Sequence, residues 1–308
     1  MTSIAIVSRQ DISGFLLAHL QRSLPDARIS TWPDPGANDA EIAVCWQPLP
    51  GVLAAMPNLK LIHSIAAGVD NILSDPDLPD CPVCRIQDDR LAMAMAEYVV
   101  WSVLYFHRHF DRAIAHASEG AWMRYDQKAA GDVRVGILGL GTLGLAAANR
   151  LVPFGYRVSG WSRTAKSVEG VTVYAGDTAL PDFLAATDVL VCMLPLTDAT
   201  RGILDVARLG LLPEGAALVL CSRGEHLVPD DLVALVRSGH LRGAILDVFA
   251  QEPLPPDHPL WREPGILITP HMAGLAKPRV IAEQIAENVR RFEAGEELLN
   301  RVDVARGY

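Results

Sequence analysis

The chain has 308 residues, half of them hydrophobic and a fifth charged, which supplies packed cores for about two domains and excludes long disorder. Its 27 basic against 36 acidic residues leave a net charge of −9, the opposite of the balance that binding to nucleic-acid phosphate needs. Arg9 and Asp11 interrupt the N-terminus before a secretory core can form, and the longest apolar run, 98–106, is too short for a bilayer, so a cytoplasmic protein with no membrane partner is expected.

In chain order, residues 3–8 (SIAIVS) read as a strand and 11–24 as a helix with Phe15, Leu16, His19 and Leu20 at helical spacing. Residues 28–32, 42–46, 59–66 and 82–86 are further strands, separated by turn signals such as Pro33-Asp34-Pro35-Gly36 and Met56-Pro57-Asn58. A helix runs from about 91 to 109. After a polar segment around 120–131 the alternation restarts: strand 133–138, helix 142–152, strand 156–161, a short helix near 180–186 and strand 189–194. Strand 216–221, helix 229–238, strands 243–248 and 266–269, and a last helix, 278–295, complete the series. Strands apolar on both faces and joined by helices imply parallel sheets covered on both sides.

Five cysteines are dispersed along the chain, an odd number that argues for reduced thiols rather than a disulfide frame. Cys81-Pro-Val-Cys84 has the spacing of a redox pair or half a zinc site, but no second pair or histidine cluster completes a tetrad, and two ordinary buried thiols opening a strand are the favoured reading. No metal is expected.

Residues 133–144, VRVGILGLGTLG, join an apolar strand to a helix through Gly139-Leu140-Gly141-Thr142-Leu143-Gly144. Gly139 suits the tight turn, Gly141 lets backbone approach a pyrophosphate, and Gly144 lets helix and strand pack closely. The N–H groups and positive end of that helix would face the phosphates of a dinucleotide. The following strand ends Gly160-Trp161-Ser162-Arg163-Thr164, with Lys166 close behind. No acid stands there to take ribose hydroxyls, and Arg163 can grip a 2′-phosphate bidentately, which favours NADP(H) over NAD(H); a solvated surface arginine is the alternative.

Three later segments carry acid–base groups: Leu220-Cys221-Ser222-Arg223-Gly224, then Asp247-Val248-Phe249-Ala250-Gln251-Glu252-Pro253-Leu254-Pro255, then Thr269-Pro270-His271-Met272-Ala273-Gly274. In this order, downstream of G-x-G-x-x-G, they resemble the D-isomer-specific 2-hydroxyacid dehydrogenases over nearly the whole chain. Trp161-Ser162-Arg163-Thr164 with Lys166, Ala67-Gly68-Val69-Asp70, AQEPLP and Trp46 are similar to the bacterial glyoxylate/hydroxypyruvate reductase branch.

The resemblance implies an α/β protein of two doubly wound parallel-sheet domains. A Rossmann cofactor domain (100–273) would be inserted into a flavodoxin-like substrate domain (1–99 plus 274–308), with the nicotinamide between them. It implies that His271 is the general acid, that Glu252 holds its ring and favours the protonated form, and that Arg223 clamps the carboxylate and carbonyl of a small 2-keto or 2-hydroxy acid. It assigns Asp247 to the nicotinamide carboxamide, and Leu194, Pro195, Cys221, Ser222 and Gly274, together with Arg223 and His271, to the cofactor's surroundings. Ala67, Gly68 and Val69 would offer backbone N–H groups to the substrate carboxylate, with Trp46 either lining the pocket or packing in the core. Many relatives have Asn where this chain has Leu220, so a polar group behind the pocket is lost here. The implied reaction is NADPH-dependent reduction of glyoxylate or hydroxypyruvate to glycolate or D-glycerate, by a homodimer. Another small 2-keto acid as substrate, or a nucleotide-sensing module without turnover, are the alternatives.

Overall fold

The structure is a computed structural model and describes residues 2–9, 11–274, 276–305 and 307. It divides into two compact units, Met1–Asp89 with Ala276–Tyr308, and Arg90–Leu275. Each is built on one wholly parallel sheet.

In the first unit, strands β1 (Ser3–Ser8), β2 (Arg28–Thr31), β3 (Ile42–Trp46), β4 (Leu61–Ser64) and β5 (Val83–Cys84) form a sheet of order β2-β1-β3-β4-β5, the flavodoxin-like winding. Helices α1 (Ser13–Ser23) and α2 (Asp70–Leu73) lie between the strands. Alternate residues of β1 feed opposite faces: Ile4 and Ile6 pack with Leu16 and Leu20 of α1, while Ala5 and Val7 pack with Leu53 and Ile72. Both faces are dry, which is why these strands read as continuous apolar runs rather than as alternations.

The second unit opens with the long helix α3 (Asp89–His107) and α4 (Phe110–Ser118). His109 sits between them with φ at 60°, and this left-handed residue ends the predicted helix and starts another that the sequence reading does not include. The chain then runs through β6 (Arg134–Leu138), α5 (Thr142–Leu151), β7 (Arg157–Ser162), β8 (Val171–Ala175), α6 (Leu180–Ala185), β9 (Val189–Cys192), α7 (Val206–Leu209), β10 (Ala216–Leu220), α8 (Pro229–Arg237), β11 (Leu241–Leu246) and β12 (Ile266–Ile268). Their order, β12-β11-β10-β9-β6-β7-β8, contains the 3-2-1-4-5-6 winding of dinucleotide-binding sheets. Edge strand β8 is also additional to the predicted elements, and only partly buried. Helix α9 (Pro278–Ala294) returns the chain to the first unit, where it packs on α1.

The thiols at Cys81 and Cys84 are free, and burial pushes both up to about 11, so neither is a thiolate near neutral pH. Among the described residues no group of side chains could hold a metal ion, and no helix is long and apolar enough to cross a membrane.

One buried histidine ties α9 to the sheet. His63 of β4 is fully buried; its Nδ1–H donates to Ser64 O at 2.8 Å and its Nε2 accepts from Asn288 Nδ2 at 3.0 Å. Asn288 also brackets Leu299, donating to its carbonyl and accepting its N–H. Burial lowers His63 to about 4, so the unfolded chain takes up this proton from about pH 6.5 downward while the folded chain refuses it. Stability from this group is therefore complete above pH 6.5 and is lost as pH falls through 4, a swing of about 3 kcal/mol. We expect urea midpoints of the unaltered protein to fall across this window. The slope should flatten in His63→Gln, and equal slopes in the two proteins would show that the histidine does not carry it.

Candidate active site

In a parallel sheet every strand delivers its C-terminal end to the same edge, and both units use that edge. In the second unit the turn after β6 holds the Gly-rich segment. Gly139 has φ at 111°, its N–H donates to Trp161 O at 3.0 Å, and a Cβ on it would lie 2.9 Å from the Met193 backbone. A Cβ on Gly144 would lie 1.9 Å from Gly139 O, so helix α5 closes directly on the turn. Gly141 is different: nothing lies within 4 Å of where its Cβ would be. The protein does not need glycine there for its own packing, and the open space lies over the N-terminus of α5, where backbone N–H groups suit a phosphate. Leu140 is buried over Gly160 of β7, while Thr142 is exposed and Leu143 half-buried.

The segment after β7 curls beside this turn. Ser162 Oγ donates to Thr164 O at 2.7 Å, and the Lys166 ammonium donates to Leu140 O at 2.7 Å. Arg163, Thr164 and Lys166 are exposed, so two cations stand at the end of β7 with no carboxylate in the segment. The open ground at Gly141, the α5 N-terminus and these cations fit a phosphorylated dinucleotide.

The ends of β9, β10, β11 and β12 converge. Past β9, Leu194 is buried and Pro195 exposed. Past β10, Leu220 packs in the core, Cys221 is buried against Cys192, and Arg223 Nη1 donates to Ser222 O at 2.8 Å. Gly224 explains its place after Arg223: a Cβ there would lie 2.0 Å from Phe249 C and 2.2 Å from Ala250 N, so only glycine lets the arginine loop abut the loop that carries Glu252. Past β11, Asp247 is 1% exposed, and its carboxylate accepts from Thr269 Oγ1 at 2.6 Å and from the Met272 and Ala273 N–H groups at 2.9 Å each. Its carbonyl accepts the His271 N–H at 2.8 Å. The Thr269 hydroxyl in turn accepts from Tyr98 of α3, whose phenol burial pushes up and keeps protonated.

This scaffold holds His271 with φ at 51° and its ring half-buried. His271 Nδ1–H donates to Glu252 Oε2 at 2.7 Å, and the other carboxylate oxygen accepts the Phe249 N–H at 2.9 Å. Partial burial pushes the Glu252 carboxyl up, but the bonds from His271 and Phe249, with the charges of His271 and Arg223, outweigh it and hold the group below its usual range. Glu252 is therefore an anion that accepts and does not donate. Nδ1 is committed to it, which leaves Nε2 as the ring nitrogen for chemistry. Gly274 packs on Met95 and Leu91 of α3.

In the first unit, Trp46 closes β3 beside Ser8 of β1, and its side chain packs partly in the core. Gln47 follows with φ at 47°, accepting the Arg9 N–H and donating its own to Asn71 Oδ1 at 3.3 Å. The loop after β4 is shaped by Ser64, whose Oγ accepts the Ala66 N–H and donates to Gly68 O. Ala67 and Gly68 are half-buried and Val69 is buried. The strand-end residues of this unit thus lie on one edge, Trp46 on β3 and Ala67, Gly68 and Val69 after neighbouring β4. Sequence reasoning missed the supporting roles of Tyr98 and of His226, a fully buried histidine three residues after Arg223. Its signal was a histidine directly ahead of the short apolar pair Leu227-Val228, three residues after the arginine.

Comparison with known proteins agrees with this geometry. Residues 100–273, more than half of the chain, match the model of the D-isomer specific 2-hydroxyacid dehydrogenase NAD binding domain. Glyoxylate/hydroxypyruvate reductase A of Yersinia enterocolitica is 39% identical over 298 residues, 95% of each chain. A D-isomer specific 2-hydroxyacid dehydrogenase of Xanthobacter autotrophicus, solved with NADPH and MES, is 42% identical with a TM-score of 0.92, covering 100% of this chain and 99% of that one. The NADPH-dependent glyoxylate/hydroxypyruvate reductase of Sinorhizobium meliloti, solved with NADP and sulfate, is 34% identical with a TM-score of 0.92 and full coverage of both chains. With its sheet order, its glycine turn and its Glu252–His271 pair, the chain belongs to the D-isomer-specific 2-hydroxyacid dehydrogenase family.

Proposed function

We propose that this protein is an NADPH-dependent reductase of small 2-keto acids, glyoxylate and hydroxypyruvate foremost, yielding glycolate and D-glycerate. The observation that carries the reading is the Glu252–His271 pair standing on the same sheet edge as Arg223 and a glycine turn flanked by cations. The relatives named for glyoxylate and hydroxypyruvate, and those solved with NADPH or NADP, support the substrate and cofactor classes.

When bound, NADPH supplies the hydride that adds to the carbonyl carbon of the keto acid. The chain's own residues do the rest. His271 delivers a proton from Nε2 to the carbonyl oxygen, while the Glu252 anion at Nδ1 fixes the ring and balances its charge. Arg223 holds the carboxylate and the carbonyl oxygen, orienting the carbon and stabilising negative charge as it develops. Gly139, Leu140, Gly141, Thr142, Leu143 and Gly144 form the pyrophosphate cradle, and Ser162, Arg163, Thr164 and Lys166 receive the 2′-phosphate. Leu194, Pro195, Cys221, Ser222 and Gly274 border the nicotinamide. Asp247 Oδ2, which accepts the Ala273 N–H, has a lone pair left for the carboxamide. From the five-stranded unit, Ala67, Gly68 and Val69 offer N–H groups to a carboxylate, and Trp46 an apolar wall. The domain division we carry forward is a substrate domain of 1–99 plus 274–308 and a cofactor domain of 100–273.

Loss of NADPH absorbance with glyoxylate and hydroxypyruvate tests the reading directly. Turnover is expected with NADPH and poorly with NADH; silence with every small keto acid, from protein that binds NADPH, would favour a sensor instead. His271→Ala should lower kcat by roughly 10²–10⁴ with NADPH affinity kept. Arg163→Ala should cut the NADPH-over-NADH preference by about tenfold or more, the worth of a lost charge-assisted hydrogen bond. An unchanged preference would remove Arg163 from the phosphate site.

The same reading makes the protein a homodimer. α4 leaves Phe110 and Ile114 exposed, and the segment after it presents Trp122 at 90% exposure, a costly display of apolar surface for a lone chain. Light scattering should give twice the chain mass, and Ile114→Asp with Trp122→Asp should shift it to one. A monomer in the unaltered protein would exclude that use of the face.

A further inference from the structure

His226 has no role in the reaction as proposed, yet its ring is fully buried among the strand ends that carry that reaction. Nε2 lies 3.3 Å from Pro195 O, in the segment after β9. Nδ1 lies 2.9 Å from Ser222 Oγ and 3.1 Å from Arg223 O, in the loop after β10. The Pro195 and Arg223 carbonyls both only accept, so the ring N–H donates to one of them, Nε2–H to Pro195 or Nδ1–H to Arg223, and in either tautomer the ring lies between the two loops. The backbone around the ring is anchored too: the Leu204 N–H donates to His226 O and the Gly202 N–H to Glu225 O, both at 2.8 Å. On the far side, Thr200 Oγ1 donates to the same Pro195 carbonyl at 2.7 Å. An imidazole has no internal torsion, so with both ring nitrogens engaged it is a strut of fixed length between two loops.

We propose that His226 is a positioning residue that sets the spacing between the Leu194–Pro195 segment, assigned to the cofactor, and Arg223, assigned to the substrate. The inference rests on the reading of this chain as an NADPH-dependent keto-acid reductase. Through the strut, the backbone that borders the nicotinamide and the backbone that presents the guanidinium keep one geometry. His226 touches neither ligand; it acts through Pro195 on one side and through Ser222 and Arg223 on the other.

The two ring nitrogens can be removed separately. In His226→Asn the amide replaces Nδ1 and gives up the ring contact with Pro195. In His226→Gln the longer amide reaches the Nε2 position and gives up Ser222. We expect the Asn variant to raise the NADPH Kd, read from protein fluorescence without keto acid, about tenfold, with glyoxylate KM within about twofold. The Gln variant should do the reverse, raising glyoxylate KM about tenfold while NADPH Kd stays within about twofold. Both constants moving together in both variants, or neither moving in either, would overturn the strut. Nitrogen NMR of the unaltered protein needs no variant to fold: besides His63, one further histidine should hold a ring N–H protected from exchange, and the absence of such a resonance would equally overturn it. If the unaltered protein binds NADPH but reduces no keto acid, the proposed function fails, and the Kd arm and the nitrogen spectrum still decide the strut.

Discussion

The arrangement of the second unit's sheet edge depends on one buried carboxylate. Asp247 is almost wholly removed from water, and what makes that tolerable is the set of donors that meet it: the Thr269 hydroxyl and the N–H groups of Met272 and Ala273. Those donors belong to the loop on either side of His271. The carboxylate therefore turns its own desolvation requirement into a fold for that loop, which bends so sharply that His271 takes a left-handed conformation. A non-glycine residue in that region costs on the order of 1–3 kcal/mol, and it persists because four neighbouring bonds over-determine it. Replacing Asp247 would release the strain and the histidine together.

The same logic runs along the edge from loop to loop. Gly224 lets the arginine loop touch Phe249 and Ala250, the Phe249 N–H caps Glu252, and Glu252 holds Nδ1 of His271. No loop in this series is shaped by its own residues alone. Parallel strands make this economical, because neighbouring C-terminal ends lie about 5 Å apart and short polar side chains bridge them. A rigid half of the site follows from the sheet's register rather than from any loop's intrinsic preference.

How much of this could be read beforehand depended on whether the signal was local. The glycine turn was legible because each glycine answers a constraint within a dozen residues: Gly139 its positive φ, Gly144 its contact with Gly139. The strands were legible because both faces are dry. α4 and β8 were not: α4 finds no apolar burial inside the chain to anchor its pattern, and β8 is a half-exposed edge. Asp247 as the organiser of the His271 loop was equally hidden, since its partners lie more than twenty residues away and none of them is charged. His226 was hidden for a related reason, since two of its partners are backbone carbonyls, which any residue supplies. The Glu252–His271 pair was named from its motif, while the distance that makes it a pair belongs to tertiary structure.

An overall charge of −9 looks unfavourable for a protein that must hold a multiply anionic cofactor and an anionic acid. The sheet edge resolves this locally. The α5 N-terminus offers N–H dipoles over the open ground at Gly141, Lys166 is held at the turn by the Leu140 carbonyl, and Arg163 stands beside it. The acids near the chemistry are already committed, Asp247 to Thr269, Met272 and Ala273, and Glu252 to His271 and Phe249, so their field is spent on protein donors instead of repelling ligand. What reaches a bound anion is then set by a few angstroms of backbone and two or three cations, screened from the rest of the surface within about 10 Å at ordinary salt. Net charge thus speaks to which large polyanions the chain avoids, and the loops decide which small anions it can hold.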